Sequence, residues 1–321
     1  MKIVVLDGGT IDLPMDAWAG IRELGELEFY SKTDHQDREA IRSRCAGAAV
    51  VLTNKVPLDG ETISSLPKLR LISTLATGYN VIDIEAARKV GVRVCNVAGY
   101  SSGMTAQHAL ALLLEICNRV GHHDSRVKEG AWAAAEHFWF RDMPLIELEG
   151  KTVGCIGFGL IGRRFGGLVH ALGASVLAHR RTPAEAPPYQ PFRYASLDEV
   201  LELSDVVSLH CPETPETKGM MDEKRLGQMK RGSILINTAR GGLVDEEAVV
   251  AALVSGQLGA YAADVLKKEP MAADNPLRTA PRTVLTPHLG WASDETLRRL
   301  LKGTEANLEA FLRGEPINVV S

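Results

Sequence analysis

Three ionisable residues stand in stretches that read as the ends of β-strands: Arg240 in "NTARGGLVDE", Glu269 in "AADVLKKEP" and His288 in "LTPHLGWAS". Reducing a carbonyl that lies next to a carboxylate needs a cation to hold the oxygens, an acid to protonate the developing alkoxide, and a source of hydride. Arginine supplies the first and histidine the second, while a neighbouring carboxylate orients the histidine and favours its protonated form. Each residue alone reads as an ordinary surface ion pair. In this order, behind a dinucleotide fold, they form a candidate catalytic set.

A hydride source is indicated by Gly157-Phe158-Gly159-Leu160-Ile161-Gly162, which follows a strand-like "TVGCIG" and opens a helix-like "RRFGGLVHALG", with the strand-like "ASVLAHR" beyond. Such glycines mark many tight turns; this βαβ setting gives them a cofactor-binding meaning. Gly157 permits the turn, Gly159 lets backbone approach a pyrophosphate, and Gly162 lets helix and strand pack. The helix N-terminus adds N–H donors and partial positive charge. The second strand of such a unit usually ends in an acid that holds the ribose hydroxyls of NAD. Here "GASVLAHRRT" ends in Arg180 and Arg181, followed by Thr182. A guanidinium binds a 2′-phosphate bidentately, so the expected cofactor is NADP, with NADPH preferred. NAD stays possible if Arg180 only stacks on adenine. His179 is open between an adenine-side contact and a packed histidine.

These groups need a scaffold that delivers strand ends to one side. At 321 residues the chain exceeds what one core usually serves, so two domains are expected. "KIVVLD", "AAVVLT", "LRLIST" and "VRVCNV" read as strands of a first unit, with helices over 15–24 and 37–44. "KTVGCIGFG", "ASVLAHR", "DVVSLHC", "SILINTA", "GAYAADV" and "TVLTPHLG" read as strands of a second. Alternation with helical patterns predicts an α/β fold, and the continuous apolar character of the strands predicts parallel sheets covered on both faces. "MTAQHALALLLEICNR" is apolar over too wide an arc for a surface helix; it belongs in a core or between domains, as a hinge candidate. "DETLRRLLKGTEANLEAFLRGE" reads as a terminal helix that packs on the first unit, and "TPAEAPPYQP" as a solvent-facing loop.

A net charge of -4 offers no basic excess for nucleic acid. Five scattered cysteines without a CxxC pair disfavour a disulfide framework and a zinc site, and no metal is expected. The start "KIVVLD" lacks a signal-peptide pattern and no apolar run reaches membrane-spanning length. A soluble, cytoplasmic protein with neither nucleic acid nor membrane as partner is the expectation.

Across essentially its whole length the sequence resembles the D-isomer-specific 2-hydroxyacid dehydrogenase family, through "ATGYNVIDIEAARKVGVRVCNV", "GFGLIG", "INTARGGLVDEEAVVAAL", "AADVLKKEP" and "LTPHLGWAS". The resemblance implies that Arg240 binds substrate, Glu269 orients the histidine and His288 is the acid/base. It implies that backbone N–H groups of Ala76, Thr77 and Gly78 hold the substrate carboxylate and that Asp264 faces the nicotinamide. Thr105, His210, Cys211, Pro212 and Thr217 would then line the cofactor site, as would Thr238, Ala239 and Gly290. It also implies two Rossmann-like domains with a cleft between them. One is a flavodoxin-like substrate-binding domain over 1–99, completed by 291–321; the other is an NAD(P)-binding Rossmann domain over 100–290. A homodimer is implied, built on an arm at about 104–149 that includes "EGAWAAAEHFWFRD". Trp139 in that arm is either a plain dimer contact or reaches the partner's active site.

Within the family, "LTNKVPLD" and "FWFRDMPLIELEGKT" are most similar to the glycerate dehydrogenase, or hydroxypyruvate reductase, branch. That places Asn54 and Lys55 near the substrate, Lys55 being otherwise a solvated loop charge. The expected activity is D-stereospecific hydride transfer between NAD(P)H and a small 2-keto acid, converting glyoxylate to glycolate and hydroxypyruvate to D-glycerate. Two alternatives stay open. One is another D-2-hydroxyacid dehydrogenase, of the D-lactate type or of the phosphoglycerate type, the latter weakened because no regulatory segment follows Ser321. The other is a non-catalytic, dinucleotide-sensing, corepressor-like binding protein, for which no peptide-docking extension is evident.

Overall fold

Uninterrupted apolar runs form the centre of each sheet, because a strand covered on both faces has no side left for polar residues. The computed structural model describes residues 1–182 and 184–321. It divides into two units, Met1–Ser101 with Ala292–Ser321, and Ser102–Trp291.

In the first unit β1 (Lys2–Val5), β2 (Glu26–Phe29), β3 (Val50–Thr53), β4 (Leu71–Thr74) and β5 (Arg93–Cys95) make a parallel sheet. Its order is β2-β1-β3-β4-β5, the flavodoxin-like arrangement. β3 and β4 are buried at every position. β2 went unread in the sequence because Glu26 and Glu28 interrupt it, and it lies at the sheet edge, where charged residues are tolerated. The helices are α1 (Ala19–Glu23), α2 (Arg38–Cys45), α3 (Gly60–Ser64) and α4 (Ile84–Lys89). The first of the expected helices starts as a 3-10 turn, Met15–Trp18, before becoming α1. Asp37, Asp59 and Asp83 each accept a first-turn N–H of the helix that follows. Such caps contribute about 1 kcal/mol each. The C-terminal helix, Asp294–Leu312, buries Leu297, Leu300, Leu301 and Leu308 within this unit.

The second unit opens with α5 (Ser102–Asn118) and α6 (Val120–Lys128). Then come β6 (Thr152–Ile156), α7 (Leu160–Ala171), β7 (Ser175–His179), β8 (Phe192–Tyr194), α8 (Leu197–Leu203) and β9 (Val206–Leu209). It closes with α9 (Glu223–Gln228), β10 (Ser233–Asn237), α10 (Glu246–Ser255), β11 (Leu258–Ala263) and β12 (Thr283–Leu285). The sheet is parallel, in the order β12-β11-β10-β9-β6-β7-β8, so the chain reverses direction across the sheet between β6 and β9. In open α/β sheets that switch point is where ligands bind, outside the carboxyl ends of the strands. α5 is a core helix of this unit: Ala109, Leu112, Leu113 and Ile116 pack with Val153, Phe165 and Ile236.

The stretch 182–191 is mostly solvent-facing loop among its described residues, as its prolines suggested, but part of it packs. Pro183 lies outside the described residues, but Pro187 is buried and the Tyr189 ring stacks on His170 of α7, with centroids 4.6 Å apart. The stretch leads into β8, an edge strand too short to stand out in the sequence.

Asp7, just past β1, escaped attention as a lone acid. It is 2% exposed, and its carboxylate accepts the backbone N–H groups of Asn54 at 2.9 Å, Lys55 at 2.6 Å and Val56 at 3.3 Å, shaping the turn that follows β3. Removing that acceptor strands buried donors. Asp7→Ala is therefore expected to lower unfolding stability by about 2 to 4 kcal/mol, measured by denaturant titration; a change below about 0.5 kcal/mol would show that the turn holds itself.

Candidate active site

Arg240, Glu269 and His288 follow β10, β11 and β12, three adjacent strands, so their backbones start from the same edge of one sheet. The turn after β10 is built by Asn237, fully buried, whose Oδ1 accepts the N–H of Ala239 at 3.1 Å and whose Nδ2 donates to the carbonyl of Arg240 at 2.9 Å. Arg240 itself is exposed, with Nη1 on the carbonyl of Ala239 at 2.7 Å. Its neighbour Gly241 lies against the next loop so tightly that a Cβ there would occupy the carbonyl group of Leu266.

That contact brings in the loop of Glu269. Its Oε1 accepts the N–H of Leu266 at 3.0 Å and its Oε2 sits 2.6 Å from Nδ1 of His288. The carboxylate is thus tied at one end to backbone and at the other to imidazole. Nδ1–H faces Glu269, which leaves Nε2 as the nitrogen for a substrate, on a side chain 29% exposed. Glu246, at the start of α10, holds the same loop from behind: it accepts the N–H of Lys267 and Nδ2 of Asn275, both at 2.8 Å.

The conformation of the histidine turn is set by Asp264. Its carbonyl accepts the N–H of His288 at 2.8 Å, and its carboxylate accepts those of Leu289 and Gly290 at 2.7 Å. Thr286 donates to Oδ1 at 2.6 Å, and Nε2 of His108 on α5 lies 3.2 Å away. Burial alone would raise this carboxyl; the hydrogen bonds from His108, Thr286, Gly290 and Leu289 outweigh it and hold Asp264 below the ordinary carboxylate value. Thr105 of the same helix donates to the carbonyl of Gly290 at 2.8 Å. His108, Glu246 and Asn237 were not singled out in the sequence; the places of Glu246 at a helix start and Asn237 at a strand end hinted at those two, and nothing marked His108 within α5.

At the switch point, Gly157 has φ +94, and a Cβ there would run into the backbone of His210 and Cys211 after β9. The next residues open α7 without a side-chain cap, whereas α8, α9 and α10 are capped by Ser196, Asp222 and Asp245. Among the described residues, no acceptor takes the N–H groups of Phe158, Gly159, Leu160, Ile161 or Gly162. A row of free amides at a helix start with open space at Gly159 fits a pyrophosphate. Two further side chains have buried polar atoms with no partner among the described residues: Oγ1 of Thr238 and both ring nitrogens of His210. Burial pushes the His210 imidazole down to about 3, so the ring is neutral. Burial likewise raises the Cys211 thiol to about 11, which keeps it protonated beside Met220. Pro212 and Thr217 form a turn closed by a 2.8 Å bond from the threonine hydroxyl to the proline carbonyl.

Arg180 and Arg181 follow β7, which lies beside the strand leading into the glycine turn, and Nη1 of Arg180 lies 3.4 Å from the carbonyl of Phe158. Arg181 is exposed and helps lower the carboxyl of Glu216, whose main partner is the Thr214 hydroxyl. His179 is only partly buried and its Nδ1 lies 3.2 Å from the carbonyl of Ala195.

In the first unit, Asn54 and Lys55 follow β3 and Ala76, Thr77 and Gly78 follow β4, its neighbour. Asn54 is buried with Nδ2 on Thr10, and Lys55 is exposed. None of the N–H groups of Ala76, Thr77 and Gly78 has an acceptor among the described residues. Trp139 is 52% exposed on an arm that also exposes Trp132 and Phe138.

The family described as "D-isomer specific 2-hydroxyacid dehydrogenase, NAD binding domain" matches residues 110–290. A hydroxypyruvate reductase of Blautia hydrogenotrophica is 44% identical over 321 residues, covering 100% of both chains. A glycerate dehydrogenase of Methylorubrum extorquens is 36% identical over 99% of this chain and 98% of its own. The solved structure of an NADPH-dependent glyoxylate/hydroxypyruvate reductase from Sinorhizobium meliloti superposes with a TM-score of 0.86 at 26% identity, covering 100% of this chain and 97% of that one.

The 2.6 Å contact between Glu269 and His288 fixes the orientation of the imidazole ring. Glu269→Gln is expected to lower reductive kcat/KM by about tenfold or more with cofactor affinity little changed; an unchanged kcat/KM would show that the contact does not orient the ring for reaction.

Proposed function

The chain belongs to the D-isomer-specific 2-hydroxyacid dehydrogenase family, and from that premise we propose that it is an NADPH-preferring reductase of glyoxylate and hydroxypyruvate, forming glycolate and D-glycerate. It is an oxidoreductase that uses a nicotinamide dinucleotide and acts on small 2-hydroxy or 2-keto acids. Support comes first from the His288–Glu269 pair at 2.6 Å, at strand ends next to that of Arg240. The relatives named for hydroxypyruvate reductase and glycerate dehydrogenase agree with the reaction and its substrate class.

Arg240 presents guanidinium N–H groups to the carboxylate and carbonyl oxygens of the keto acid. In the first unit, the N–H groups of Ala76, Thr77 and Gly78, which have no acceptor among the described residues, offer donors to a carboxylate. Glu269 holds Nδ1–H of His288, and Nε2–H gives its proton to the carbonyl oxygen as that oxygen gains charge. In the oxidative direction Nε2 takes the proton back. The cofactor, when bound, supplies or accepts the hydride. Its pyrophosphate falls to the amides of residues 158–162, with Thr238 and His210 offering their unpartnered atoms. Arg180 and Arg181 take the 2′-phosphate. The arm with exposed Trp132, Phe138 and Trp139 serves a homodimer, and a reduced, cytoplasmic setting suits cysteines that are all unpaired.

Initial rates with hydroxypyruvate and glyoxylate test this reading. Paired guanidiniums on a phosphate contribute about 2 to 3 kcal/mol, so kcat/KM for NADPH is expected to exceed that for NADH on the order of a hundredfold. Arg180→Ala should erase most of that ratio while leaving NADH turnover within about threefold. Equal use of both cofactors by the unmodified protein would contradict the arginine reading, and no turnover of either acid would contradict the substrate.

A further inference from the structure

In a trans peptide the C=O and the following N–H point in opposite directions. The loop after β4 uses this twice in succession. The carbonyl of Ala76 accepts the N–H of Val97 at 3.0 Å, and the carbonyl of Thr77 accepts Nδ2–H of Asn96 at 2.7 Å. Both carbonyls are turned toward the end of β5. The N–H groups of Thr77 and Gly78, the other halves of those peptide units, therefore face the opposite way, and both lack an acceptor among the described residues. Two neighbouring outward N–H groups match the two oxygens of one carboxylate.

The second of these peptides depends on a side chain rather than on a strand. Asn96 is 7% exposed, and its backbone N–H, its carbonyl and its side-chain Nδ2 are each hydrogen-bonded. Its N–H donates to the carbonyl of Asn318 at 3.3 Å, and its own carbonyl accepts Nδ2 of Asn307 at 2.9 Å. Asn307, fully buried on the C-terminal helix, accepts Nδ2 of Asn318 at 2.7 Å through its Oδ1. The tail carrying Asn318 is fastened to β5 by the N–H of Val320 on the carbonyl of Val94 at 2.8 Å and by an antiparallel bridge between Cys95 and Val319. Turning this buried side chain away would break the bond between its Nδ2 and the Thr77 carbonyl and leave both without a partner, so the rotamer that reaches Thr77 is favoured.

We propose that Asn96 is a positioning residue for the substrate carboxylate: it turns the Thr77–Gly78 peptide so that its N–H faces the anion, and Asn307 and Asn318 brace it. This rests on reading residues 76–78 as the carboxylate-binding loop. The C-terminal segment thereby acts on substrate affinity without a residue of its own at the substrate.

Full-length wild type and Asn96→Leu, a neutral side chain of similar size without the donor, are compared for KM of hydroxypyruvate, KM of the cofactor, kcat and unfolding midpoint. KM for the keto acid is expected to rise on the order of tenfold, with kcat and cofactor KM within about threefold, the pattern of lost binding that is equal in ground and transition states. Asn318→Ala, which keeps Asn96 and removes its brace, should give the same selective rise at smaller size and serves if Asn96→Leu does not fold. An unchanged keto-acid KM in a folded variant, or a drop in all parameters together, would overturn the proposal. Wild type that turns over no keto acid would instead bring down the reading of the loop, and Asn96 with it.

Discussion

The backbone of His288 sits at φ +57, a left-handed conformation that side chains with a Cβ adopt only under constraint. The cost is about 1 to 3 kcal/mol. Asp264 offsets it, since its carbonyl and carboxylate together take the N–H groups of His288, Leu289 and Gly290. Hydrogen bonds to a charged acceptor are worth about 1.5 to 3 kcal/mol each, so the constraint is sustainable. The end of β11 thus dictates the turn after β12, and the orientation left to the ring is fixed by Glu269. Loss of the Asp264 carboxylate would free the N–H groups of Leu289 and Gly290 and loosen the turn without touching the imidazole.

A parallel sheet supplies the rest. Because its strands all end on the same side, residues distant in sequence start from one edge, and the loops need only short reaches to finish a site. Both sheets exploit the same device, backbone N–H groups left without an internal partner. At Phe158 to Gly162 an uncapped helix leaves them free; at Thr77 and Gly78 inward-turned carbonyls do so. Buried neutral groups sit around the first set, with His210 and Cys211 kept uncharged by burial.

The placement of the candidate set was legible because it depends on residue type at strand ends: Arg240, Glu269 and His288 follow three adjacent strands and Gly157 makes the turn after β6. The α/β character followed from apolar runs such as "SILINTA", and parallel sheets from their burial on both faces. What escaped was whatever rests on pairing across the chain. Asp7 is an unremarkable acid until its carboxylate is seen to gather three amides from a turn almost fifty positions on. Asn96, Asn307 and Asn318 carry no pattern, since a side-chain amide reveals its partner only in three dimensions. β2 and β8 were hidden by charge and by brevity, as edge strands often are. Tyr189 was read as part of a proline loop because stacking on His170 leaves no mark in sequence.

The central claim is a reductase in which His288, oriented by Glu269, protonates the carbonyl oxygen of a 2-keto acid while hydride from the cofactor would add to one face of the carbonyl carbon. The most direct test is chiral analysis of the glycerate formed from hydroxypyruvate by the purified protein with NADPH, alongside the amount of cofactor oxidised. D-glycerate alone, in a one-to-one ratio with oxidised cofactor, is the result this account predicts. L-glycerate, a racemic mixture, or cofactor oxidation without glycerate would contradict it.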